Sequence, residues 1–333
     1  MKAPHIDRRK ALQGIASAGA CLLTGRVAWA REGYPAKPIR FIVPFNPGGA
    51  TDTVARVLAA SMSKTLGQPI LVENKSGAAG MLGTDQVAKA APDGYTFTVS
   101  LSTSLLINQF LYARMAYNPQ ADLLMLSQIA AAPVTLVVHP SVPAGNMREL
   151  LAWIGANPGK VSYGSWGVGS YAHLAGAYMS KTTHADMVHV AYKGEAPMIQ
   201  DLIGGQLQVC FSSAQNTRPF IENGRLKAIG VTGTQRMVVL PDLPTIHEQG
   251  VADDAYAIFG WVGMAAPAGT PQDIVDTVHA ALLEAAKDTK VQEHITGAGF
   301  IPVFNTPAEF SRAYARDVPI WKELVKIADA RID

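Results

Sequence analysis

The chain has 333 residues, with 48% hydrophobic, 16% charged, and 28 Lys and Arg against 26 Asp and Glu. That length suits two domains, and so much apolar material fills two buried cores. Removing the first thirty residues removes five cations (Lys2, Arg8, Arg9, Lys10, Arg26) and one anion (Asp7), leaving 23 cations against 25 anions, a net of −2. A mildly acidic body with scattered charge excludes nucleic acid and anionic membrane as partners. No charge block, low-complexity tract or short period is present, which excludes disorder and solenoid repeats.

Residues Met1–Ala30 have the parts of an export signal: basic Arg8-Arg9-Lys10, a weakly apolar run Ala11–Leu23, and the small-x-small site Ala28-Trp29-Ala30. The run is too short and too poor in large apolar residues to span a bilayer. The paired arginines before Ala11-Leu12-Gln13 resemble a twin-arginine signal, with Asp7 and Ala11 as imperfect matches. A Sec signal with a basic start is the alternative. Cys21 follows Ala18-Gly19-Ala20 and lacks the large aliphatic residue of a lipoprotein site. The expected location is the periplasm, after cleavage near Ala30. Cys210 is then alone, and Val209-Cys210-Phe211 reads as a strand holding a buried, inert thiol.

From Arg31 on, β-branched runs alternate with helical patterns. Strands are expected at 39–44, 70–73, 96–100, 135–139, 161–163, 188–190, 209–212 and 226–231. Helices are expected at 51–66 (Val54, Leu58 and Met62 at spacing four), 84–91, 147–157, 171–182 and 196–203. Thr306-Pro307-Ala308-Glu309 is a capping box with proline at the first helical position, starting a helix toward Ile327, and Thr270-Pro271-Gln272-Asp273 opens another in the same way. This alternation predicts an α/β fold of mainly parallel sheets flanked by helices. Breaks near Ala131-Ala132-Pro133 and Val251–Ala257 suggest two crossovers: one lobe from residues 31–131 plus 253–333, a second from 132–252, and a hinged cleft between them.

The segment Phe41–Asp52 is a buried strand, a tight glycine turn and a helix start. Backbone N–H groups at a helix N-terminus lack internal partners, and the helix dipole adds positive charge there. With Gly48 and Gly49 clearing the approach, Phe45, Asn46, Gly48, Gly49, Ala50, Thr51 and Asp52 form a candidate anion site that needs no Arg or Lys. Asp52 is a favourable first-turn residue that can also meet a cationic group of a ligand. Such sites lie at the carboxyl ends of strands, where Ser102 and Thr103 also fall, just past the strand at 96–100. A counterpart spans Val161–His173, with Ser165, Trp166, Gly167, Gly169 and Ser170 as candidates. Tyr192-Lys193 and Ser212 end nearby strands and complete the set.

These residues closely resemble the solute-binding receptors of tripartite tricarboxylate transporters. The resemblance covers nearly all the chain after the signal, through Pro38–Phe45, Pro47-Gly48-Gly49, Asp52, Ala55-Arg56, Leu66–Pro69, Val72-Glu73-Asn74 and Pro92–Thr96. It continues through Gly167, Gly169-Ser170, His173-Leu174-Ala175, His189-Val190, Tyr192-Lys193-Gly194, Ala196-Pro197, Leu240-Pro241-Asp242, Pro244-Thr245 and Pro267–Pro271. It implies a two-lobed, type II-like periplasmic binding protein. Its ligand is a small carboxylate held between the lobes by backbone and ordered water, and no metal or cofactor is expected. The closed form then docks as a monomer on integral-membrane transporter subunits. Asn46, Ala50-Thr51 and Ser212-Ser213 depart from the family pattern, so specificity does not carry over. A sensing role toward a membrane signalling partner is an alternative that the sequence leaves open.

Enzyme readings are weaker. Gly77–Gly83 is spaced G-x-x-G-x-x-G and does not match the dinucleotide fingerprint. Ser165 and Ser170 lack the G-x-S-x-G elbow, and His173, one turn from Ser170, reads as a partly buried residue behind a serine cap. His184 and His189 stand five apart with no HExxH pattern or Cys/His cluster. Trp153, Trp261 and Trp321 read as core, whereas Trp166 lies in a glycine loop and is a candidate for lining the cleft.

Overall fold

The computed structural model describes residues 33–332; the export signal Met1–Ala30, its cleavage site and Cys21 lie outside the described residues. The first strands are β1 (Ile39–Val43), β2 (Ile70–Asn74) and β3 (Thr96–Leu101), and both β2 and β3 pair parallel with β1. Between β1 and β2 runs helix α1 (Ala50–Leu66), which buries Val54, Leu58 and Met62 and ends at Gly67 in the left-handed region (φ 66°). Helix α2 (Met81–Ala88) follows β2; its start lies three residues before the expected Thr84. After β3 the backbone forms a wide helical turn over Thr103–Ile107 and a short helix α3 (Asn108–Leu111).

The long strand β4 (Leu123–Ala132) leads through Pro133-Val134 into β5 (Thr135–Val138), in a second sheet. There α4 (Met147–Gly155), β6 (Ser162–Ser165), α5 (Tyr171–Thr183), β7 (Val188–Ala191), α6 (Glu195–Ile203), β8 (Val209–Ser212), α7 (Ala214–Glu222) and β9 (Lys227–Val231) alternate. After the short helix α8 (Asp254–Ala257) the chain returns to the first sheet as β10 (Gly260–Pro267). It continues with α9 (Gln272–Ala285), α10 (Thr289–Gly297), β11 (Ile301–Pro302) and α11 (Pro307–Ile327). The orders are β11-β4-β10-β3-β1-β2 and β7-β6-β8-β5-β9.

The two-sheet α/β architecture stands as expected, but the sheets are mixed rather than mainly parallel. Parallel pairing is confined to β1, β2 and β3 and to β6, β7 and β8. The strands nearest the crossings, β4, β5 and β10, pair antiparallel. Parallel neighbours need a helical crossover within one sheet. β4 leaves its sheet and β10 enters it at the same place, Ala132 opposite Gly260, so they must run in opposite directions. Neither strand was expected. Seven of eight residues of β10 and eight of ten of β4 are buried, which erases the alternation that marks a half-exposed strand.

The crossings are tied together. Thr232 accepts through Oγ1 from the Val134 amide (2.9 Å) and donates its own amide to the Val134 carbonyl (3.0 Å). One continuous apolar cluster spans both sheets. Within it, Trp261 meets Phe310 edge-on at 4.9 Å, and Trp321 of α11 meets Tyr171 of α5 at 5.9 Å. Trp153 is half-buried against the same cluster. At α11 the expected capping box is present: Glu309 N donates to Thr306 Oγ1 and Thr306 N to Glu309 Oε2. The expected box at α9 is absent. Pro271 is itself the cap residue, and Thr270 Oγ1 donates back to the Pro267 carbonyl at 2.7 Å. Among the described residues no helix is long and apolar enough to cross a membrane.

Candidate functional site

The loop from Pro44 to Gly49 leaves the carboxyl end of β1, and Ser102-Thr103 leaves the carboxyl end of its parallel neighbour β3. Gly48 has φ +83°, a conformation that costs other residues about 1 kcal/mol or more. Gly49 is different: its backbone is extended, and a Cβ there would meet only the Asn46 carbonyl, at 3.7 Å. Nothing in the chain's own packing demands glycine at 49, so its bareness leaves the helix end open from outside. The first amide bonded back at this end is Thr53 N, to Gly49 O, and those of Ala50, Thr51 and Asp52 have no acceptor among the described residues.

Asp52 is 2% exposed. Its Oδ2 accepts from Gly48 N (2.8 Å) and Arg56 Nε (3.0 Å), and its Oδ1 from Asn74 Nδ2 (2.9 Å). Asn74 also donates to the Phe45 carbonyl. Burial pushes the Asp52 carboxyl up, but the bonds from Arg56, Gly48 and Asn74 outweigh it and hold the group below its ordinary value. Asp52 thus faces its own loop and fixes its shape. Asn46 is exposed, Phe45 and Ala50 are half-buried, and Thr51 is buried. Behind them, Ser102 is buried and accepts from the Trp261 amide at 3.4 Å, and half-buried Thr103 opens the wide helical turn.

In the second sheet, parallel β7, β6 and β8 bring Tyr192-Lys193, the loop Ser165–Ser170 and Ser212 to one edge. Ser170 caps α5, its Oγ accepting from His173 N at 3.4 Å. The hydroxyl–imidazole contact is instead Ser165 Oγ with His189 Nε2, at 2.8 Å. Tyr163, His189 and His173 form a stack, with ring centroids 4.9 and 4.0 Å apart. Burial, helped by His189, lowers His173 to about 4, and burial lowers His189 also. His173 is therefore neutral at pH 7, and Gly169 N donates to its Nδ1 at 3.1 Å. Trp166 is half-buried against the apolar clusters.

One expected ligand group is engaged within its own lobe. The Tyr192 phenol donates to Asp201 at 2.6 Å, and burial and that carboxylate hold it protonated. Lys193 is exposed and forms no ion pair among the described residues. Cys210 is buried as expected, and burial pushes its thiol up to about 12.

The sequence reading missed Glu195 and Asn216 and noted Ser213 only as a departure from the family pattern. Glu195 Oε2 accepts from Ser212 Oγ (2.7 Å), Ser213 Oγ (2.6 Å), Ser213 N (3.2 Å) and Asn216 Nδ2 (2.6 Å). A glutamate opening a helix after glycine reads only as a favourable dipole partner. The serines that donate to it lie 17 and 18 residues away and are invisible without the fold. Beside the first edge, a cavity of about 320 Å³ is lined by Gly48, Ala50 and Thr53, by Gln215 of α7, and by Glu293 and His294 of α10. Among the described residues no group of three or more His, Cys, Asp or Glu is placed to hold a metal.

Two α/β sheets joined by paired crossing strands, with glycine loops at the carboxyl strand ends of each, define the bilobal solute-binding class. The chain belongs to the tripartite tricarboxylate transporter receptor family, TctC, whose sequence model matches residues 54–329. It is 33% identical over 321 residues, covering 96% of this chain and 94% of the relative, to the UPF0065 protein in the tcbD-tcbE intergenic region of Pseudomonas sp. strain P51. It also resembles the solved structure of Rpa4515 from R. palustris with adipate (TM-score 0.76, 30% identity, 90% of this chain and 100% of that one). MatC from Rhodopseudomonas palustris with bound malate is similar too (TM-score 0.72, 30% identity, 88% of this chain and 100% of that one).

Proposed function

We propose that this chain is an exported periplasmic receptor that captures a small carboxylate between two lobes, 31–131 with 253–333 and 132–252, and delivers it to integral-membrane transporter subunits. It leaves through the Arg8-Arg9 signal, is cleaved near Ala30, works as a monomer and catalyses no reaction. The observation that carries the reading is the start of α1: three amides with no acceptor among the described residues and an unobstructed glycine, at the carboxyl ends of β1 and β3. Amides at a helix start bind a carboxylate without any cation. The relatives with adipate and malate support the ligand class. The pair Ser165–His189 has the spacing of a nucleophile and base. However, no carboxylate orients the His189 ring among the described residues, and that third group is what makes such a pair work. Closure follows from one ligand touching both loops.

The test is a thermal-shift screen of the chain from Arg31 against di- and tricarboxylates, acidic amino acids and aromatic acids. A ligand at a hundred times its Kd adds about 2.7 kcal/mol. Gly49→Asp, which puts a negative side chain on the open helix end, should abolish the shift while the unliganded protein melts as before. If unfolded and refolded protein gives no shift across the panel, the carboxylate reading is wrong.

A further inference from the structure

The sheet-two edge of the cleft already holds an anion that belongs to the chain. Glu195 begins α6, directly after β7, yet its carboxylate lies at the end of β8, and β6 stands between those two strands. Strands are spaced about 4.8 Å apart, so the side chain sits roughly 10 Å from the end of β7, past the Ser165 loop. Its Oε2 takes four donors: the Ser212 and Ser213 hydroxyls, the Ser213 amide and the Asn216 amide group. Ser213 is the cap residue of α7, so this helix end is occupied from within. Gln215, in the same first turn, lines the cavity that Gly48 and Ala50 line from the opposite sheet, and Glu293 adds a second carboxylate to that lining. Glu195 Oε1 accepts no hydrogen bond from the described residues.

We infer that Glu195 is a specificity-determining residue. Resting on the carboxylate-receptor reading, it makes the preferred ligand a monocarboxylate whose far end is a cationic hydrogen-bond donor and disfavours a second carboxylate. The ligand carboxylate is held at α1, where three amides have no acceptor among the described residues. The far end then approaches a fixed negative charge with one open acceptor oxygen. A second carboxylate there meets like charge at short range, whereas an ammonium gains a charge-assisted hydrogen bond. These donors keep Glu195 from swinging away, since the Ser212 and Ser213 hydroxyls and the Ser213 amide would lose their acceptor.

The test uses calorimetric titration of the chain from Arg31 and its Glu195→Gln variant. The probes are three matched sets of four, five and six carbons: the dicarboxylate, the unsubstituted monocarboxylate and the ω-amino acid. Glutamine keeps an acceptor for Ser212 and Ser213, and the unliganded melting temperature checks that the variant is folded. The expected result is that the wild type prefers the ω-amino acid over the dicarboxylate by roughly tenfold or more at the best length, and that Glu195→Gln erases or inverts this ratio. A ratio unchanged by the variant overturns the role of Glu195 and leaves the receptor reading intact. A wild type that prefers the dicarboxylate also overturns it. If neither protein binds any of the nine compounds, the Glu195 assignment is overturned, while the carboxylate reading stands or falls on the wider screen above.

Discussion

Asp52 shows how one side chain serves a site without facing its ligand. A first-turn aspartate was expected to meet the helix dipole and, on one reading, the ligand. Its carboxylate is instead the clasp of the loop, bonded to Gly48, Arg56 and Asn74. Because its folded-state pKa is depressed below 3.8, the stability it adds is complete above that value and lost as pH falls through the folded pKa. Asp52→Asn should cost about 1–3 kcal/mol at pH 7 through unmatched donors. The gap between variant and wild type should stay constant in melts from pH 7 to about pH 4 and narrow at lower pH. A gap that stays constant at the lower pH too would mean that the carboxylate charge is irrelevant. The same clasp sets the direction of the α1 amides, so the variant should also bind its ligand more weakly at pH 7.

At the scale of elements, α11 displays a rule that acts locally and can be read locally. Thr306 and Glu309 are three residues apart and satisfy each other's amides. Thr306→Ala should therefore lower stability by about 1 kcal/mol, seen as a melting shift of about 2 °C, with no effect on ligand affinity. The contrast with α9 is instructive. There the same residue order, Thr then Pro, produces no box, because Pro271 takes the cap position and Thr270 turns back to Pro267. The crossing strands β4 and β10 were illegible for the opposite reason. Their burial comes from neighbours on both faces, and no pattern within the strand records it.

For the whole molecule, the continuity of the core across both sheets matters most. Tyr171 and Phe211 from the sheet-two side stack into a ring cluster with Trp321 from the sheet-one side, centred 5.5 and 5.9 Å from Tyr171. The two sheets should therefore unfold together, as one calorimetric transition, despite their separate topologies. Trp321 is 0% exposed. Trp321→Ala should cost about 3–5 kcal/mol and leave a large cavity between α11 and α5. If the variant instead splits the melt into two transitions, Trp321 is what couples the sheets. A wild type that already melts in two steps would contradict the shared core.

The sequence by itself determined the alternation of strands and helices, the two glycine loops at strand ends, the serine cap at Ser170 and the capping box at Thr306. Each rests on residues within a few positions of one another, where spacing and backbone preference act. It also carried the family resemblance, through short motifs in a conserved order along the chain. Only the tertiary structure decided that Asp52 clasps its loop through Asn74, that Ser165 meets His189, and that Tyr192 turns to Asp201. It alone placed the carboxylate of Glu195 on Ser212, Ser213 and Asn216. These pairings join residues 9 to 24 positions apart, and their distances depend on which strands become neighbours. Strand order is set by burial of the whole core, a property of all the elements together that no local segment encodes.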